Sequence, residues 1–173
     1  MRKFMLGVVS LFALLCLSLA LTSQAFADSH SQAFQLSLTP EVALHERDVL
    51  IEGVSLHVWG ENPQKALSLG IISGSTGESA GFSWSLLANY ADSYKGVHWA
   101  PVNYTQDRFL GWQSGMVNYA GQLRGLQTGF VNYAEAADGG LQLGLANVIH
   151  ESEWFRELPN APAPAFPFLN WRF

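Results

Sequence analysis

Cysteine is almost absent from this chain. The single one, Cys16, lies inside an apolar leader, so the rest has no disulfide, thiol nucleophile or thiolate metal ligand. Charge is scarce as well: charged residues make up 13% of the chain, against about 25% in an average soluble domain. Setting aside Arg2 and Lys3, seven of the nine basic residues remain to face 14 acidic ones, a balance that excludes a nonspecific grip on nucleic acid. Catalytic signatures are missing too. No G-x-S-x-G nucleophile elbow occurs, and the polar run Ser73–Ser79 lacks the Lys-Ser/Thr pair of a phosphate loop. The pair His45 and Glu46 has no further metal ligands nearby and reads as solvated surface. We expect no enzyme, no cofactor and no metal site.

What the sequence does contain begins with a leader. Met1-Arg2-Lys3 is basic, Phe4 to Leu21 is almost wholly apolar, and Ala25-Phe26-Ala27 is a small-x-small cleavage site. Residues 1–27 therefore read as a secretory signal peptide, and the mature chain is expected to start at Asp28. Residues 28–51 form a lead-in with one possible extra strand, Ser31 to Thr39, in which Phe34, Leu36 and Leu38 share a face. Glu41 to Asp48 reads as a charged loop, and Glu61-Asn62-Pro63 as a turn. Residues 52–173 are expected to form one domain.

That domain is built on a repeated phrase: GVHWAPVNY at Gly96, GWQSGMVNY at Gly111, GLQTGFVNY at Gly125 and GLQLGLANV at Gly140. Its asparagines, Asn89, Asn103, Asn118, Asn132 and Asn147, recur every 14 or 15 residues, the mark of an array of like units. Read as strands at 94–104, 109–119, 123–133 and 138–148, the units alternate between two faces. One face carries His98, Gln113 and Gln127 among glycines, with Gln142 at the matching place in the last unit; the other carries Trp112, Leu126, Phe130, Leu143 and the asparagines. The intervening segments alternate between three and four residues, as the two rims of an up-and-down meander would.

These features predict an all-β fold: an antiparallel up-and-down meander closed as a small β-barrel of about eight strands, the last at 165–173. An apolar outer band with a polar lumen suits an outer-membrane barrel of a Gram-negative envelope, with lipid and the barrel-insertion machinery as partners. His98, Gln113, Gln127 and Gln142 are then lumen residues and the only candidates for contact with a ligand, whose nature the sequence leaves unknown. In the alternative architecture, a β-solenoid of 14–15-residue repeats, the asparagines stack as a ladder and the Leu/Phe/Met face forms the core.

Two resemblances add to this. The ending Phe166-Pro-Phe-Leu-Asn-Trp-Arg-Phe173, with Trp171 and Phe173 in the assembly positions, resembles the C-terminal recognition signal of bacterial outer-membrane barrels. The phrase at Gly111–Val148 resembles the bacterial glycine/asparagine surface-repeat proteins, exported and mostly uncharacterised. The latter implies export and a repeat architecture, and it transfers no catalytic residue. The function expected from the sequence is a structural or surface role for an outer-membrane barrel, with an exported soluble binding module, periplasmic or on the surface, as the alternative.

Overall fold

A computed structural model describes residues 31–151 and 165–172. The all-β expectation holds, but the barrel does not. Among the described residues seven strands form one sheet in the order β2-β1-β3-β4-β5-β6-β7: β1 Ser31–Thr39, β2 Val42–Ala43, β3 Leu50–Glu61, β4 Lys65–Trp99, β5 Val102–Ser114, β6 Val117–Ile149 and β7 Ala165–Arg172. The pairs β1·β3, β3·β4, β4·β5 and β5·β6 are all parallel, whereas a meander requires antiparallel neighbours. Like residues sit beside like: Asn89 pairs with Asn103 and Asn103 with Asn118, and Gly96 pairs with Gly111 and Gly111 with Gly125. The chain winds as a β-solenoid in which each repeat is one coil stacked on the last.

The alternating segment lengths that suggested two rims have a different cause. They fall at one corner of successive coils, where the register slips between Ala91 and Tyr94 and again between Thr105 and Arg108. A coil of 15 residues stacks on one of 14 by absorbing the extra residue there as a bulge, so the asparagine and glycine rows stay aligned.

Sharp corners without chain breaks explain how β4 and β6 reach 35 and 33 residues, each longer than a full repeat. Gly81, Gly96, Gly111 and Gly125 have φ between 127° and 138°. Each turns the chain in a conformation open to glycine, and its missing Cβ matters twice. A Cβ at Gly111 would overlap the carbonyl oxygen of Gly96, and one at Gly96 that of Gly81. Gly140 departs from the column: its φ is not in that region, and Gly139 (φ 77°) takes the left-handed position in the last coil.

Corners also overturn the two-face reading of the strands. The buried positions of one coil are Asn118, Ala120, Leu123 and Gln127, followed by Asn132, so the intervals of two, three, four and five residues are not a period of two. Adjacent outward residues, Met116 with Val117 and Phe130 with Val131, mark a bend between the glutamine and asparagine rows. Both rows consequently enter the same interior. The Leu/Phe/Met face expected as the core of a solenoid is instead outside: Phe130 is 56% exposed and Leu145 63%.

Elsewhere the sequence reading was closer. Strand β1 occupies the predicted span, and it pairs with β3, which ties the lead-in to the repeat sheet. The break between β3 and β4 falls at the expected Asn62-Pro63 turn. The polar run Ser73–Ser79, linker-like in composition, is continuous strand within β4. The final strand is antiparallel, β7 on β6, and the N-terminal edge carries the antiparallel β1·β2 pair. A reversed element thus caps the last coil along β7 and the C-terminal end of β1 along β2, which interrupts the parallel pairing that would otherwise template further strands.

Candidate contact surface

The interior is filled by hydrogen-bonded amides. Asn89 Nδ2 donates to Asn103 Oδ1 (3.0 Å), Asn103 to Asn118 (2.8 Å), Asn118 to Asn132 (2.8 Å) and Asn132 to Asn147 (2.7 Å). Each of these five amides is 0–1% exposed, and each also donates to a backbone carbonyl, as Asn118 does to Thr128. A second ladder runs the opposite way, Gln142 Nε2 donating to Gln127 (2.8 Å) and Gln127 to Gln113 (2.7 Å). Buried amides are stable in a protein interior only when so paired, and here the pairing sets the register of the coils from Asn89 to Asn147. Between the two ladders Tyr94, Phe109, Leu123 and Ile149, with several alanines, form an apolar corner.

Toward the N-terminus the same interior changes composition. Gln113 pairs with His98, whose ring lies 3.9 Å from Tyr94 and 5.4 Å from Phe109, centroid to centroid, and whose Nδ1 makes no hydrogen bond among the described residues. Beyond it lie serines: Ser73 bonds Ser85 (2.5 Å) and His57 Nε2 (2.6 Å), and Ser55 bonds His57 Nδ1 (3.1 Å). Burial alone drives His98 down to about 3 and His57 down to about 4, because neither imidazolium could be hydrated there. The His57–Ser73 pair has the spacing of a base and its nucleophile. Yet Ser73 is 2% exposed and His57 is packed against the glycines at 60 and 70, which leaves no room for a substrate.

The structure therefore places His98, Gln113, Gln127 and Gln142 in one row, as the sequence suggested, and seals that row from solvent: all four are 0–1% exposed. A ligand cannot reach them. The asparagines, placed on the opposite face in the barrel reading and stacked as a ladder in the solenoid alternative, lie stacked in the same dry interior. Among the described residues no three His, Cys, Asp or Glu side chains gather as a metal site. Trp171 lies in β7 opposite Leu141, and Phe173 falls outside the described residues.

What the molecule offers to solvent is its outside, and this is divided by charge. Between Gly81 and Ile149 every charged residue falls within 92–95, 107–108, 124 or 135–138, on the side of the coil that leads to the corner glycines. The other two sides are uncharged. One carries stacked rows: Val97, Trp112 and Leu126 in register, then Trp84 and Trp99 above Ser114, Thr128 and Leu143, then Leu86, Met116, Phe130 and Leu145. An open groove of about 450 Å³ crosses this side between Trp84, Leu86, Trp99, Pro101, Ser114 and Met116. The second uncharged side carries Val102, Val117 and Val131 and a tyrosine stack, Tyr104–Tyr119–Tyr133, with centroids 4.8 and 5.5 Å apart and planes within 11°. Those rings spend their faces on one another and present edges and hydroxyls. Tyr119 donates to Glu135 (2.6 Å), a bond that holds its phenol up at about 12.

Sequence reasoning missed the column Ala100, Gly115, Gly129 and Gly144, where a Cβ on any of the glycines would meet the carbonyl of the coil above and the amide of an asparagine. Their spacing of 15, 14 and 15 residues was the available signal. No protein-family model, no curated protein and no solved structure matches the chain.

Proposed function

We propose that this protein is an exported β-solenoid that serves as a surface or periplasmic binding module and works through its uncharged outer sides. The observation that carries this reading is the inversion of the usual pattern: amides, serines and histidines are sealed inside, while tryptophan, phenylalanine and leucine are held outside on a rigid repeat. Large apolar side chains gathered on one surface mark contact sites, because leaving them in water is costly. Export is supported by the basic, apolar and small-x-small segments of residues 1–27. The resemblance of the repeats to the glycine/asparagine surface-repeat proteins agrees with that destination.

Fractionation of a Gram-negative host tests the proposal. The chain is expected to lose residues 1–27, to leave the cytoplasm and to be released from membranes by a carbonate wash. Retention of the uncleaved chain in the cytoplasm would contradict it.

A further inference from the structure

We infer that the uncharged side bearing Trp99 and Phe130 pairs with the same side of a second copy of this chain, in a closed two-fold dimer. The inference rests on the reading of that side as a contact surface and names its occupant. Three features of the side point to a copy of itself.

The side offers both a hollow and exposed side chains that could fill one. The groove at Trp84, Leu86, Trp99 and Met116 lies toward the N-terminal coils, while Phe130 (56% exposed) and Leu145 (63%) face solvent on the C-terminal coils of the same side. Small residues at Pro101, Ser114 and Gly115 leave the hollow, and the larger ones beyond them form the ridge. A two-fold axis through the middle of the side sets each ridge into the other copy's groove, the reciprocal contact that an isologous interface requires.

Its period fits. Rows of side chains repeat once per coil, at about the 4.8 Å spacing of paired strands, and a surface with the same repeat is presented by a second copy of the solenoid. Two such sides pack as facing sheets do, about 10 Å apart.

Its charge and area permit it. The charged residues of these coils, Asp92, Lys95, Asp107, Arg108, Arg124, Glu135 and Asp138, lie on the third side, so two copies meet there without like charges facing. Nine large apolar residues on the pairing side are each at least 36% exposed. With on the order of 100 Å² accessible per side chain they reach the roughly 800 Å² per partner of a stable interface.

Analytical ultracentrifugation of the purified full chain, processed as the cell delivers it, gives the test. The wild type should sediment as a concentration-dependent dimer. Leu86→Asp in the groove and Phe130→Arg on the ridge are outward substitutions whose folding circular dichroism can verify, and each alone should weaken association by about tenfold or more. Mixing the two variants should restore the dimer, because one contact then pairs Asp with Arg and the other is native. A wild type that stays monomeric up to its solubility limit, a mass beyond two copies, or a mixture that fails to associate overturns the inference. Flotation with vesicles of phosphatidylethanolamine and phosphatidylglycerol separates the two layers of the claim. A monomer that floats, and ceases to do so as Phe130→Arg, overturns the second copy but keeps the side as a contact surface. A monomer that ignores the vesicles removes both.

Discussion

The N-terminal and C-terminal coils of this solenoid share one backbone path and solve the interior differently. From Asn89 onward the amides form two ladders, five asparagines and three glutamines, in which the middle side chains are fixed by the coils on either side. Before it most of the interior is serines around His57, joined by short hydroxyl bonds whose donors can rotate, and the one amide pair among the described residues there, Gln35 to Asn62, stands alone at the far end. An amide has a donor end and an acceptor end, so a row of them specifies both neighbours. A hydroxyl accepts whatever partner is nearby. The comparison teaches that register is written most strongly in the C-terminal coils, and that the N-terminal ones depend on being stacked against them.

The largest effect should come from breaking the stack itself. Gly111→Ala places a Cβ against the carbonyl of Gly96 in a conformation that alanine resists. It should cost about 3 kcal/mol or more in urea unfolding. Gly77 in the serine-lined part, although its φ is 60°, has open space around it, and Gly77→Asn should cost well under about 1 kcal/mol. A similar loss at both sites would erase the distinction.

Next come the ladders. Asn118→Leu leaves Asn103 Nδ2 and Asn132 Oδ1 without their side-chain partners in a dry interior, and should cost about 2–3 kcal/mol. Combined with Asn132→Leu in a double-mutant cycle, it should show a coupling above about 0.5 kcal/mol. The corresponding cycle at Ser73→Ala and Ser85→Ala should couple less. Purely additive losses at the asparagines would mean that they do not share a network.

These contrasts show where the sequence was legible. The asparagine period, the first strand at 31–39 and the presence of a last strand from 165 could be read because each is a local pattern. The closure of the fold could not, because a period-two reading of 109–119 sends Gln113 and Asn118 to opposite faces. Only a bend at Gly115–Met116 brings them into one interior, and a glycine there reads equally well as a strand residue. Exposed leucines misled in the same way: an apolar row signals either a core or a contact surface, and nothing in its spacing tells which. Serine and glycine at 73–79 look like a linker in composition, although small side chains are what a narrow, hydroxyl-bonded coil needs.

A smaller effect depends on pH. His57 and His98 are held neutral when folded, with values near 4 and 3 against 6.5 when unfolded, so the unfolded chain takes up protons first as pH falls. Stability should be flat above about pH 7 and decline from pH 6.5 toward 4, by at most about 1.4 kcal/mol per pH unit for each histidine. His98→Gln, which extends the glutamine ladder by one coil toward the serines, should roughly halve that slope in thermal or urea unfolding between pH 6.5 and 4. An unchanged slope would mean that His98 is not sealed as described.

The parallel, in-register stacking of coils is the claim on which all of this depends, and a distance measures it. Val102 and Val117 are register partners on adjacent strands and both are exposed, at 44% and 42%. Since residues 28–173 contain no cysteine, Val102→Cys with Val117→Cys in that part of the chain allows two spin labels to be placed cleanly. Stacked coils put the two backbones about 5 Å apart, and the continuous-wave spectrum should show strong dipolar broadening relative to either single label. A hairpin joining the same segments would pair Val102 with Gly111 and leave the labelled positions six residues out of step, about 20 Å apart. Spectra that equal the sum of the two single labels would contradict the solenoid.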